Sequence, residues 1–246
     1  MPLQRKMESS GSWLFKYRSF VPLLLLPLFG YELSKFTYLN GSHEQTEWWQ
    51  MACLAVCLSG LAVRMKTAAH VPGGTSGRNT FTQVADCLNT TGMYSVVRHP
   101  LYLGNFLIVV GLAMFFRDPV FVTLVIAAFA IYYERIMLVE ESFLRSQFGT
   151  AFEEWAERTP AFFPRLSSWK KPELPWSWRS MIRREYTTLL IVISLPAVED
   201  VLGDSIVERR LFLDWRWLAA LAASLLVFAV CRALKKSTIL LKAEGR

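Results

Sequence analysis

The chain has 246 residues, of which 53% are hydrophobic and only 19% charged, with a formal net charge of +7. An ordinary soluble domain carries roughly 25% charged residues. This composition excludes a disordered chain and argues against a nucleic-acid-binding domain, which needs its basic residues on exposed polar surface. The apolar residues run in long blocks, which predicts an all-α, multi-span integral membrane protein.

Arg5, Lys6, Lys16 and Arg18 precede the first apolar run. No small-residue cleavage site follows, so this run is expected to be retained as a span. A span needs about 20 mostly apolar residues, fewer where flanking aromatic and basic side chains reach the interface. Six spans are expected, at residues 20–36, 48–65, 101–116, 120–139, 186–202 and 215–233. Trp48, Trp49, Trp215 and Trp217 fall at span ends, where amphipathic rings prefer to sit. Only Arg117-Asp118-Pro119 separates the third and fourth spans, which predicts a tight helical hairpin. Pro196, Glu199 and Asp200 interrupt the fifth, so it reads either as a span or as a broken, re-entrant helix packed on protein.

Charge decides the expected orientation. With both termini in the cytoplasm, only Lys35, Arg117, Arg209, Arg210 and Arg216 of the 27 lysines and arginines fall on the other side. The opposite loops are acidic, with Glu44 and Glu47 in one and Glu199, Asp200, Asp204, Glu208 and Asp214 in the last. This is the positive-inside pattern. It places two polar stretches, 66–100 and 140–184, in the cytoplasm. Lys170-Lys171-Pro172 and Pro175 mark a linker. The expected organisation is therefore an N-terminal two-span region (1–66), a core (67–170) and a C-terminal extension with two spans (171–246).

Cys53, Cys57, Cys87 and Cys231 form no CxxC, and no histidine stands at zinc-ligand spacing from them. They read as reduced packing residues, and no metal site is expected. Pro72-Gly73-Gly74-Thr75-Ser76-Gly77 lacks the Gly-Lys-Ser/Thr of a phosphate loop, and no GxGxxG follows a strand.

Three segments carry residues suited to chemistry. Arg98 and His99 precede a helix expected to start at Pro100, where free amides favour an anion. Arg98 is a candidate for orienting a carboxylate or phosphate, although such residues also serve as interfacial anchors. At 3.6 residues per turn Glu134, Leu138 and Glu141 share one face, while Glu140 points elsewhere, among Ile136, Met137, Phe143 and Leu144. A carboxylate there needs a partner, either a ligand or Arg98 or Arg135. Phe148-Gly149, Phe152, Trp155, Phe162 and Phe163 read as a bend at Gly149 followed by an aromatic lid, or as an amphipathic surface helix.

In order, these segments read Thr91-Gly92-Met93-Tyr94, Arg98-His99-Pro100-Leu101-Tyr102-Leu103-Gly104, Glu140-Glu141-Ser142-Phe143-Leu144, Phe148-Gly149, and Pro160 with Pro164. The ordered set resembles the isoprenylcysteine carboxyl methyltransferase and phospholipid methyltransferase superfamily of integral membrane enzymes. The resemblance implies S-adenosylmethionine as methyl donor, bound in a cytoplasmic pocket under a lid. It places Asn79, Leu88, Asn89, Tyr94, His99, Pro100, Leu101, Tyr102 and Glu140 in that pocket. Phe152 and Trp155 stand where the family usually has tyrosines. The substrate-contacting arginine of the prenylcysteine enzymes aligns with Ile136, one position from Arg135.

Methyl transfer from a sulfonium is a direct displacement. An ionised oxygen acceptor needs no base, whereas an amine must shed a proton. Arg98 and Arg135 are candidates to hold an anionic substrate, and His99 and Glu140 are the only candidate bases. If both line the cofactor pocket, a lipid phosphate or other headgroup oxygen is the favoured acceptor. The 72–79 and 88–92 stretches are similar to the bacterial branch, including lipid A phosphate methyltransferases, which implies an inner-membrane location. Isoprenylcysteine carboxyl methylation, phospholipid N-methylation, an NADPH-dependent sterol reductase and a non-catalytic scaffold are the competing readings. No particular catalytic residue and no oligomeric state follow from the sequence.

Overall fold

In the computed structural model, residues 2–18, 20–74, 85–241 and 245 are described. Among them the architecture is all-α, with an isolated antiparallel bridge between Gly92 and Lys170 in place of any sheet. The helices are α1 (Pro2–Lys16), α2 (Leu26–Ser34), α3 (His43–His70), α4 (Pro100–Met114), α5 (Pro119–Phe148), α6 (Thr150–Arg158), α7 (Trp178–Glu208) and α8 (Trp215–Ser237).

Helix ends follow from local chemistry. The Ser42 side chain accepts the Gln45 amide at the start of α3, and Ser177 accepts from Ser180 at the start of α7. Pro100 opens α4, where its missing N–H costs nothing. The expected hairpin between α4 and α5 is present. Arg117 takes a left-handed φ of 59°, and Asp118 Oδ1 accepts from the amides of Val120 (2.7 Å) and Phe121 (3.1 Å).

Two expected spans take other forms. The run 20–36 is not one helix: a 3-10 turn, Val21–Leu25, leads into α2, and each begins with a proline in its first turn. Proline cannot continue the hydrogen-bond ladder, so Pro22 and Pro27 break the run into pieces. The fifth span is continuous rather than broken, because α7 carries Pro196 inside a 31-residue helix. Neighbouring helices pack against it there, with Ala197 in a cluster with Cys53, Phe115 and Trp217.

Among the described residues three helices, α3, α5 and α8, are long and apolar enough to cross a membrane. At 15 residues, α4 spans about 22 Å, short of a hydrocarbon core of about 30 Å. It sits inside the bundle, where Ile108 and Leu112 meet Cys57 of α3 and Val192 of α7. On its other side Ala113 meets Phe121 and Val125 of α5, with Leu28 and Phe29 of α2 against them. Leu124 and Ile131 on α5, and Leu225, Leu226 and Val230 on α8, face outwards as lipid-facing residues would. The four cysteines are free thiols, with Cys53, Cys57 and Cys231 buried as packing residues and Cys87 exposed.

The most extensive seam joins α3 to α4, and small residues line it. A Cβ on Gly60 would lie 2.5 Å from the Gly104 carbonyl oxygen, and one on Gly111 would lie 2.5 Å from Cys57 Sγ. Close helix approach through glycine is the packing route open to helices in lipid, where burial supplies little driving force. Gly60→Val should therefore lower the unfolding temperature of the detergent-purified protein, at a cost of about 1–3 kcal/mol from overpacking. An unchanged melting temperature would show that α3 and α4 separate here without penalty.

Candidate active site

One end of the bundle gathers the motif residues. The segment before α4 is clamped between α5 and the lid. Gly92 N–H donates to the Lys170 carbonyl (3.0 Å), Arg165 N–H to Val96 (2.9 Å), Arg98 N–H to Pro160 (2.9 Å) and His99 N–H to Ala161 (3.3 Å). Helix α6 folds back from α5 at Gly149, whose φ of +52° with ψ of −126° is a conformation suited to glycine. Phe152 of α6 is fully buried, and Trp155 Nε1 donates to the Tyr94 carbonyl (3.0 Å). The aromatic lid is thus a packed layer. Phe162 closes over Phe106 and Phe129, and Phe163 remains outside.

At the centre lies His99, buried, with each ring nitrogen facing a carboxylate. Nε2 is 3.0 Å from Glu141 Oε1, and Nδ1 is 3.6 Å from Glu140 Oε2. The Tyr102 ring stacks on His99 at 5.6 Å with an interplanar angle of 14°, and its hydroxyl donates to Glu140. Burial alone would push the imidazole below its ordinary value, but the Glu140 and Glu141 carboxylates override this and hold it above. The paired carboxylates therefore favour the protonated ring, which presents an N–H to each of them.

Arg98 is engaged by the protein itself. Its Nε donates to Glu141 (2.9 Å), and Nη1 donates to the carbonyls of Ala156 (2.6 Å) and Thr159 (3.2 Å). It staples α5 to the end of α6, so the expected free anion anchor is not what the geometry offers. The expected alternative of a Glu140–Arg98 pair gives way to Glu140–Tyr102 and Glu141–Arg98.

Of the nine expected pocket residues, His99, Pro100, Leu101, Tyr102 and Glu140 form one contiguous group. Tyr94 lies behind them on the 3-10 turn Met93–Ser95, against α6. Leu88 and Asn89 lie in the irregular segment leading into Gly92, and Asn79 lies outside the described residues. Arg135 does not join the group. It faces α1, where Nη1 donates to Ser10 Oγ (3.0 Å). The next residue, Ile136, is fully buried. One helical step of about 100° accounts for the different surroundings.

Sequence reasoning missed a polar chain that continues from this group into the bundle. Arg64 of α3 pairs bidentately with Glu185 of α7 (2.8 and 2.9 Å) and donates to Asn105 Oδ1 (2.6 Å). Asn105 Nδ2 donates to the Tyr133 hydroxyl (2.9 Å), and the Tyr133 ring lies 4.6 Å from that of Tyr102. The available signal was Arg64 and Glu185 at the edges of apolar runs, since charges there are costly unless paired.

The fold and site define an integral membrane protein with a cluster of paired polar side chains at one end of its helical bundle, packed against α6 and the segment after it. Residues 48–151, from α3 to the start of α6, match the family model described as phospholipid methyltransferase, in line with the resemblance that the motifs carry. The cobalt-zinc-cadmium resistance protein CzcN of Cupriavidus metallidurans is 46% identical over 96 residues, covering 39% of this chain and 41% of that protein. The nickel-cobalt-cadmium resistance protein NccN of Alcaligenes xylosoxydans xylosoxydans is 36% identical over 131 residues, covering 51% and 57%. A protein-S-isoprenylcysteine O-methyltransferase of Tribolium castaneum is 27% identical over 141 residues, covering 54% and 48%. The chain spans about half the length of these curated relatives. No solved structure matches it.

His99 has a definite pH signature. A raised folded-state value means that the stabilisation from the His99 ion pairs is complete below the ordinary value of 6.5 and is lost as pH rises through the raised one. The stability advantage of the wild type over His99→Gln in thermal unfolding should accordingly shrink as pH rises. An advantage that stays constant with pH would show that His99 is neutral in the folded protein.

Proposed function

We propose that the protein is an S-adenosylmethionine-dependent methyltransferase whose acceptor is an anionic oxygen of a membrane lipid. Bound in this site, the cofactor would supply an electrophilic methyl carbon on a sulfonium. The pocket chemistry fits such a group. The Glu140 carboxylate suits ribose hydroxyls or an ammonium, and the stacked faces of His99 and Tyr102 suit an adenine ring. His99, Pro100, Leu101, Tyr102 and Glu140 would hold it, with Tyr94, Leu88, Asn89 and Asn79 completing the pocket. Arg98 would act on the lid rather than on the substrate.

The observation that carries the acceptor class is that both ring nitrogens of His99 face carboxylates. A protonated imidazole donating on both sides has no lone pair with which to take a proton. Glu140 is occupied by Tyr102, and Glu141 by Arg98 and His99. A site without a free base suits an acceptor that is already ionised: the acceptor oxygen–methyl bond forms as the methyl–sulfur bond breaks, and no proton moves. The chain's work is then to hold the two reactants in line and to keep water out.

A headgroup face supports the lipid reading. Lys6, Ser9, Ser10 and Trp13 of α1 line an open groove of about 510 Å³. Ser10 is bonded to Arg135, whose Nε is buried without a partner among the described residues. Lys6 and Arg135 suit an anionic headgroup, and the exposed Trp13 and Phe20 suit the lipid interface. The positive-inside asymmetry supports a cytoplasmic location for this end of the bundle. The resistance named for two relatives is also consistent. Methylating a lipid phosphate removes an ionisable oxygen and weakens the attraction of the membrane surface for divalent cations.

Incubating membranes that contain the protein with methyl-labelled S-adenosylmethionine tests this reading. Label should enter the lipid fraction, resist the conditions that spare N-methyl groups only if it is on nitrogen, and be lost from the Glu140→Ala variant. Label confined to protein would replace the lipid acceptor with a prenylcysteine, and no transfer at all would overturn the enzymatic reading.

A further inference from the structure

The matched region ends at residue 151, yet the buried carboxylate that neutralises its only described cation inside the α3–α4 seam comes from α7. Glu185 is 4% exposed, and its two oxygens take Nε and Nη2 of Arg64 in parallel. Fork-to-fork geometry fixes direction as well as distance. The stem of Arg64 crosses directly over Gly104, the glycine of the Arg-His-Pro-x-Tyr-x-Gly motif, where a Cβ would overlap Arg64 Cγ. So Gly104 leaves room for the arginine, and the arginine's third nitrogen, Nη1, donates to Asn105, one residue further along α4.

From Asn105 the order passes to Tyr133, and from the Tyr133 ring to Tyr102 and its bond to Glu140. Tyr133 also lies within electrostatic reach of both Arg64 and Glu140. The N-terminal part of α7 is fastened to α3 beside this chain. Ser180 Oγ donates to the Ala68 carbonyl (2.9 Å), Ser177 N–H to Ala69 (3.0 Å), and His70 Nδ1 meets the Leu174 carbonyl (2.9 Å). The stretch that follows the expected linker near residue 170 is therefore fixed to α3 by contacts on the N-terminal side of Glu185.

We propose that α7 is part of the catalytic unit and that Glu185 is a positioning residue, acting through Arg64, Asn105 and Tyr133 on the Tyr102–Glu140 wall of the cofactor pocket. The proposal rests on that pocket binding S-adenosylmethionine, as inferred above. Without the Glu185 charge, Arg64 becomes an uncompensated buried cation, and Glu140 is a carboxylate it is drawn towards. Such a cation disturbs the hydrogen bonding of Glu140 even where packing is unchanged. Glu185→Gln keeps the shape and one acceptor, so it isolates the charge.

The test is calorimetric titration of S-adenosylmethionine into the detergent-purified full chain, across pH, for the wild type, Glu185→Gln, the charge-conserving Glu185→Asp, and Ile191→Ala as a lipid-facing control on the same helix. Glu185→Gln should weaken binding at least tenfold and displace its pH profile. Glu185→Asp, which keeps the charge beside Arg64, should retain most of the wild-type affinity, and Ile191→Ala should bind as the wild type does. Variants that melt earlier but keep the wild-type affinity and pH profile would show Glu185 to be structural only and would overturn the proposal. A wild-type chain that does not bind S-adenosylmethionine would overturn the pocket reading first, and the proposal with it.

Discussion

The site depends on one electrostatic arrangement, a buried histidine placed between two consecutive carboxylates. Consecutive residues on a helix diverge by about 100°, so Glu140 and Glu141 cannot point the same way. His99, at the mouth of α4, meets both because each ring nitrogen reaches in a different direction. The division of labour follows. Glu141 turns towards Arg98 and the end of α6, while Glu140 turns towards Tyr102 and the proposed cofactor site. The lid and the pocket thus share one charge cluster, and disturbing either changes the other.

This cluster is affordable because the fold closes around it. The backbone of 96–99 pairs with 160–165, Trp155 covers Tyr94, and Phe152 seals the turn at Gly149. The far end of the bundle carries a second polar layer, built differently. Asp200 and Asp204 of α7 are buried, His43 of α3 lies 3.0 Å from Asp204, and Arg117 donates to the Thr37 carbonyl and lies over the Phe36 ring. Gln50 and Thr46 on the facing side of α3 are buried as well. Helix α7 is therefore too polar to read as a simple span, yet its continuity through Pro196 shows that protein packing supports it.

How much of this was legible depended on whether the signal was local. The α4–α5 hairpin, the helix start at Pro100 and the bend at Gly149 follow from residues acting on their own neighbours, and the structure places them as the sequence predicts. The breaks at Pro22 and Pro27 were equally local but lay hidden inside a run of leucines. The partners of charged residues were not legible, because they lie far apart in the chain, by 121 residues for Arg64 and Glu185 and by 169 for Glu47 and Arg216. Motif order brought His99, Tyr102 and Glu140 together correctly. It gave no means of telling that Arg98 would be consumed by Glu141 and two lid carbonyls, or that Arg135 would turn towards α1. Those outcomes depend on which face of α5 each neighbour covers.

The central claim is that the His99–Glu140–Tyr102 group is a binding site for the methyl donor. Photo-crosslinking the purified protein with labelled S-adenosylmethionine and mapping the modified peptides tests it most directly. The account predicts label on the peptides carrying residues 94–105 or 133–141, abolished by Glu140→Gln and by competing S-adenosylhomocysteine. Label confined to other segments, or undiminished in Glu140→Gln, would contradict it.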